Sequence, residues 1–312
     1  MQRNFQYDRT SPCGAPRQDG RMNGLAHPWH YGFAPPYSHD WRFPPNYPAY
    51  AKPAWPQLAA TPWLEKQLPL TFVLIHGAWA DAGFWDGIAA ELRAMGHTVH
   101  VPEYPGHGPD SNNAVTHAMM TESLADYIRR NDLRDIVLVG HSFGGTLIQK
   151  TAELVPERIK RLVFLNAFVL NDGQSVADEF PPQALQLFDL LRRSSQDDTI
   201  MLPFALFRET FVNLASLGLA ERIYRGISPE PAGPSYEKLD LKKFYALDMP
   251  RSYVYLTEDN VLPLGSSEYG WHPHMSSRLG LFRFIQGGGD HMSTAMTEPR
   301  MVAQKLYSAG RD

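Results

Sequence analysis

One cysteine, Cys13, stands in 312 residues, so no internal disulfide is available and nothing points to an oxidising compartment. An excess of either charge is also missing. The 29 Lys+Arg face 33 Asp+Glu for a net charge of -4, without the clustered basic excess that nucleic-acid binding requires. No run approaches the ~18 consecutive apolar residues of a membrane span, and Met1–Tyr7 opens without the apolar stretch of a secretory signal. Metal-ligand spacing is absent too. His27, His30 and His39 have no compact set of partners, and His272 and His274 lack a third. What remains is an ordinary globular composition, 43% hydrophobic and 20% charged. The expectation is a soluble, cytoplasmic protein with no nucleic-acid or membrane partner and no metal or organic cofactor. Its length suits one large α/β domain or two small ones.

The chain divides near residue 70. Residues 1–69 hold 12 of the 26 prolines and 12 of the 37 aromatic residues. Proline fixes φ and removes a donor, which argues against helix and central strand in segments such as Trp41-Arg-Phe-Pro-Pro-Asn-Tyr47. A flexible tail is usually poor in aromatics. The expected alternative is an extended arm docked on the folded body or on a second subunit, which makes a homo-oligomer through this arm an expectation.

From Leu70 onward, short apolar runs alternate with helical spacing. Thr71–Ile75, His97–Val101, Asp135–Val139 and Arg161–Leu165 read as buried parallel strands. Between them, Phe84–Met95, Met119–Arg130 and the stretch through Val155 read as helices. Two more strands are expected at Ser252–Leu256 and Leu281–Ile285, and a closing helix at Pro299–Tyr307. Strands alternating with helices mean a doubly wound, mostly parallel sheet. Residues 169–250 interrupt the rhythm with amphipathic pieces at Leu185–Leu191 and Phe204–Leu214 and an irregular Ile227–Pro231. An excursion of this length is read as a helical lid. Phe188, Phe204, Phe207 and Phe211, together with Trp79, are the candidate substrate-binding residues. The same four phenylalanines also suit a plain lid core.

Gly140-His-Ser-Phe-Gly-Gly145 follows the strongest strand and opens a helix, the setting of a nucleophile elbow centred on Ser142. A serine hydroxyl needs a base. His291, in Gly287-Gly-Gly-Asp-His291 after the last strand, is the candidate, ahead of His272 and His274. The acid is expected after the preceding strand, where Asp259 is preferred to Glu258 and Asp172 remains a rival. Asp290 adjoins His291 and is read as loop-shaping. Donors for a developing oxyanion are expected from the amides of Phe143 and Ala78. A phosphate-binding reading fails, because neither Gly-x-Gly-x-x-Gly nor a Walker lysine is present.

Phe72-Val-Leu-Ile-His-Gly-Ala-Trp79, Pro105-Gly-His-Gly108, Gly140–Gly145, Thr257-Glu-Asp-Asn-Val-Leu-Pro263 and Gly288-Gly-Asp-His291 together resemble one group of the α/β-hydrolase superfamily. That group holds the plant methylesterases, the hydroxynitrile lyases and their bacterial carboxylesterase relatives. Phe211-Val-Asn-Leu and Pro229-Glu-Pro231 extend the likeness into the lid. The resemblance runs over about residues 70–307 and implies Ser142, Asp259 and His291 as a catalytic triad, with Ala78 and Phe143 as oxyanion donors. It implies hydrolysis of a small-to-medium hydrophobic carboxylic ester or lactone through an acyl-enzyme. The chain departs from the lyases at Gly77, where they carry threonine, and at Met292, where they carry the lysine that stabilises leaving cyanide. The alternative to hydrolysis is a non-hydrolytic member of the fold: a lyase, a cofactor-free oxygenase or a ligand-binding receptor.

Overall fold

The computed structural model describes residues 68–312. The expected arm lies outside the described residues apart from its last two positions, and with it the docking and the homo-oligomer assigned to it.

The chain enters β1 (Thr71–Ile75), turns through a short 3₁₀ segment capped by the Asp81 side chain, and forms α1 (Asp86–Ala94). Gly96 then takes φ +91° and ends this helix, as its position predicts. After β2 (Thr98–His100) comes α2 (His117–Arg130). It begins two residues earlier than its apolar spacing suggests, because the Thr116 side chain accepts from the Met119 amide and sets the cap. β3 (Ile136–Ser142) leads directly into α3 (Gly144–Leu154), and β4 (Ile159–Ala167) follows.

The excursion carries α4 (Pro182–Ser194), β5 (Thr199–Ile200), α5 (Phe204–Thr210), α6 (Leu217–Gly226), β6 (Glu230–Pro231), α7 (Gly233–Tyr236) and α8 (Lys242–Ala246). Then come β7 (Arg251–Leu256), β8 (Arg283–Gly287), α9 (Ser293–Thr297) and α10 (Pro299–Gly310). Within the excursion α5 stops at Thr210, short of the expected Leu214. The stretch expected to be irregular contains β6, which pairs antiparallel with β5. The last strand is shifted two residues from its apolar run, and Leu281 is 98% exposed. β8 is an edge strand with alternating burial, so its apolar content marks its bounds poorly.

β2-β1-β3-β4-β7-β8 form one six-stranded sheet in which every pair is parallel. Among the described residues it has no antiparallel member, where a mostly parallel sheet was expected. The sheet's two faces bury separate cores, because successive side chains point to opposite sides. Phe72, Leu74, Val137 and Val139 pack towards α1 and α10, whereas Val73, Ile75, Ile136 and Leu138 pack towards α2 and α3. Burial on both faces explains the continuous apolar runs that made these strands legible. The strand order reverses between β1 and β3, the place where a crevice opens beyond the carboxyl ends of parallel strands. Among the described residues, no helix is long and apolar enough to cross a membrane.

Candidate active site

Ser142 is the last residue of β3 and has φ +53°, a left-handed conformation that is costly for a non-glycine residue. The chain tolerates it because its neighbours carry no side chain. A Cβ on Gly77 would lie 2.6 Å from the Ser142 Cβ, and one on Gly144 would lie 2.6 Å from the His76 carbonyl oxygen. The loop after β1 therefore presses directly against the serine. α3 starts two residues later, with its positive N-terminal end beside the serine.

His291 lies on the loop after β8, and its Nδ1 meets Asp259 Oδ2 at 2.5 Å. Both side chains are buried. Asp259 is held from three sides: Asn166 Nδ2 donates to Oδ2 at 2.6 Å, the Val261 amide donates to Oδ1 at 3.0 Å, and His291 supplies the third contact. Trp271 stacks on the His291 ring, and the rim of Phe211 packs against it. The remaining nitrogen, His291 Nε2, is buried and has no hydrogen-bond partner among the described residues. His141, next to Ser142 in the chain, reaches the His291 carbonyl oxygen through Nε2 at 3.0 Å and ties the serine strand to the histidine loop. Burial and the adjacent His291 push the His141 pKa well down, so it packs as a neutral ring.

The rival carboxylates are otherwise engaged. Glu258 accepts from the Gly289 amide, and Asp172 accepts from the Leu241 amide at 2.9 Å, away from His291. Asp290 accepts from the Leu214 amide, from Ser293 Oγ and from the Thr294 amide, which makes it the organiser of its loop. Phe143 directly follows the serine, Ala78 lines the same cavity as Ser142, and among the described residues the loop and turn hydrogen bonds use neither amide.

A narrow cavity adjoins Ser142, with about 30 Å³ open to the centre of a water molecule. Its wall includes Ala78, Trp79, Phe143, Phe188 and Phe211. Phe204 and Phe207, also expected there, are not part of that wall. Phe207 is fully buried between Phe211 and Tyr224, and Phe204 packs on Tyr224, so both belong to the interior of the lid. Helical spacing cannot tell which side of α5 faces the cavity. Asn166, Phe168, Phe180 and Glu230 escaped the sequence reading. Asn166 does carry a signal, since a polar residue inside an apolar strand must have found a partner.

A second set of polar residues braces the β1 loop. His76 Nε2 meets Glu103 Oε1 at 2.5 Å, and the Ala82 amide donates to Glu103 Oε2 at 2.9 Å. Trp79 has φ +62° and is clamped at three points. Its amide donates to Glu230 Oε2 at 2.7 Å, its indole N–H to the Ile200 carbonyl at 2.8 Å, and its carbonyl accepts from Ser228.

A model of the alpha/beta hydrolase family matches residues 72–305, most of the chain. The chain belongs to the alpha/beta hydrolase family. Among solved members of this family, an extracellular hydrolase from a Paenibacillus species is 59% identical with a TM-score of 0.77, covering 78% of this chain and 100% of its own. It is described as sharing structural and functional homology with Tobacco Salicylic Acid Binding Protein 2. A putative chloroplastic methylesterase of Arabidopsis thaliana is 30% identical over 63% of this chain and 54% of its own length. A carbendazim hydrolyzing esterase of a Nocardioides species is 35% identical over 35% of this chain and 47% of its own. The chain thus spans about half the length of these two curated relatives.

Proposed function

We propose that this hydrolase-family chain cleaves a small-to-medium hydrophobic carboxylic ester or lactone through an acyl-enzyme. The observation that carries the reading is the 2.5 Å contact between His291 Nδ1 and buried Asp259, together with a serine held at φ +53° whose chain neighbour His141 is bonded to the His291 carbonyl. Ser142 Oγ attacks the carbonyl carbon while His291 Nε2 takes its proton. The carbonyl electron pair moves onto oxygen, which faces the Ala78 and Phe143 amides. Collapse expels the alcohol oxygen, which receives the proton from His291. Water, deprotonated by the same nitrogen, then attacks the acyl carbon, releases the acid and restores Ser142. Asp259 orients the ring and stabilises the imidazolium, and Asn166 in turn holds Asp259. The names of the Arabidopsis and Nocardioides relatives denote esterases, which supports extending ester cleavage to this chain.

Cyanohydrin cleavage has less support. It needs a cation to stabilise leaving cyanide, and among the described residues neither lysine nor arginine lines the cavity beside Ser142. The test is hydrolysis of p-nitrophenyl acetate and butyrate by the parent and by Ser142→Ala, together with fluorophosphonate labelling. Equal turnover by both proteins, or no labelling of the parent at Ser142, would reject the mechanism.

Two coarser readings travel with this one. Cytoplasmic placement rests on the single cysteine, against an extracellular relative, and cell fractionation decides it. A homo-oligomer through residues 1–69 rests on their aromatic content, and solution mass with and without residues 2–65 decides it.

A further inference from the structure

Among the described residues, six that are not glycine have positive φ, and four of these are Asp or Asn, which tolerate that conformation. The other two are Ser142 and Trp79, and both line the same cavity. A bulky residue gains nothing from φ +62°, and such strain persists only where the surroundings over-determine it. The excursion does this for Trp79. The Trp79 amide donates to Glu230 Oε2 at 2.7 Å and its indole N–H to the Ile200 carbonyl. Ile200 and Glu230 face each other across the β5–β6 pair. Glu230 Oε2 also meets His107 Nε2 at 2.9 Å, and both side chains are buried. Glu230 Oε1 has no hydrogen-bond partner among the described residues, so both contacts converge on the oxygen that holds Trp79. Burial alone would lower the His107 pKa, but the Glu230 carboxylate outweighs it and raises the pKa, which favours an imidazolium beside the carboxylate.

The peptide that Glu230 grips is the one after Ala78. A peptide unit is planar, so fixing the Trp79 N–H also fixes the Ala78 carbonyl. The unit before it carries the Ala78 N–H and is held through the Gly77 carbonyl, 2.9 Å from His76 Nδ1. With both planes fixed, the two dihedral angles of Ala78 have no freedom left, and its N–H keeps one direction. Resting on the ester-hydrolase reading, in which that N–H faces the oxyanion, we propose that Glu230, backed by His107, is a positioning residue for the oxyanion hole. Its Oε2 holds the strained peptide beside Ala78. Because Glu230 belongs to β6, the donor is in place only while the β5–β6 pair is seated on Trp79. Preorganised donors act on charge that develops in the transition state, so losing this brace costs turnover rather than substrate binding.

Two conservative variants separate reach from charge. Glu230→Gln keeps the length and an acceptor for the Trp79 amide but loses the charge. Glu230→Asp keeps the charge but, one methylene shorter, withdraws its oxygen from the amide. Both would be compared with the parent in hydrolysis of p-nitrophenyl butyrate and in inhibition by propyl trifluoromethyl ketone. Ser142 Oγ adds to the carbonyl carbon of that ketone, its proton passes to His291, and the carbonyl electron pair becomes the oxyanion. Glu230→Asp should lower kcat by about 10²-fold, the cost of a displacement of about 1 Å, with KM little changed. Its affinity for the ketone should fall by a similar factor. Glu230→Gln should keep kcat within about tenfold of the parent, because a neutral hydrogen bond replaces a charge-assisted one. Both variants should melt close to the parent. A Glu230→Gln that loses as much as Glu230→Asp, or more, overturns the proposal, since charge and not reach would then matter. Losses confined to KM with the ketone affinity kept also overturn it. So does a Glu230→Asp that fails to fold, which would make Glu230 a structural residue. The hydrolase reading is judged on the parent alone. Absence of ester turnover there sinks that reading and this proposal together, whereas turnover by the parent with an unaffected Glu230→Asp sinks only the proposal.

Discussion

The ends of β1 and β3 and the excursion between β4 and β7 enclose the same cavity by opposite means. At the strand ends, geometry is imposed from all sides. Six parallel strands set the positions of the two loops, and glycines at 77 and 144 leave room only for hydrogen. The excursion instead consists of short helices and one two-residue strand pair. It is fastened by scattered bonds, among them the Trp79 indole to Ile200 and the Met292 amide to the Phe211 carbonyl. The contrast teaches a division of labour. The sheet can hold reacting groups to about half an ångström, whereas the excursion changes the cavity's shape by swapping side chains without disturbing the sheet.

Substitutions on either side break or sharpen that division. The largest effect belongs to the strand end: Ser142→Ala should lower kcat on p-nitrophenyl esters by roughly 10⁴–10⁶-fold, with a melting temperature close to the parent's. A large loss of stability instead would mean that the serine is structural. Next comes Phe207→Ala in the lid interior, which should cost about 3–5 kcal/mol in denaturant unfolding while leaving the ranking of esters by acyl length as it was. Phe188→Ala, on the cavity wall, should do the reverse. Its stability loss should be smaller, and its preference should move towards longer or bulkier acyl groups by about 10–200-fold per added methylene. If the two variants behave alike, the assignment of cavity wall against lid interior is wrong.

The remaining effect is one of pH. Burial lowers the His117 pKa to about 3, with Lys150 adding to the shift, and the neutral ring meets Thr146 Oγ1 at 2.9 Å. The unfolded chain binds a proton near pH 6.5, but the folded chain does not until about pH 3. The stabilisation is therefore complete above pH 6.5 and is lost as pH falls through that window, by ~1.4 kcal/mol per pH unit for such a group. Chemical denaturation of parent and His117→Gln between pH 7 and 4 checks this. The variant should have the shallower decline, and parallel curves would refute the assignment.

The strands were legible for the reason that also makes them rigid. A strand covered on both faces must be apolar at every position, so Thr71–Ile75 and Ile136–Val139 announce themselves. Edge strand β8 obeys no such constraint, and its bounds shifted. Ser142, Asp259 and His291 could be named because each lies at or after the end of a strand that is visible in the chain. Local pattern could not reach Asn166, whose partner Asp259 lies 93 residues away, or Glu230, whose partner His107 lies 123 residues away.

By itself, the amino-acid sequence determined the alternation of strands and helices, the sharp turn at Ser142 and the placing of Ser142, Asp259 and His291 at strand ends, in that order along the chain. These depend on residue type and short-range spacing, which the chain carries wherever it goes. Only the tertiary structure decided that Phe188 and Phe211 line the cavity while Phe204 and Phe207 do not, and that Glu230 reaches the Trp79 amide with one oxygen left over. Which side of a short helix faces inward, and whether a buried carboxylate finds a second donor, depends on segments far apart in sequence meeting in space.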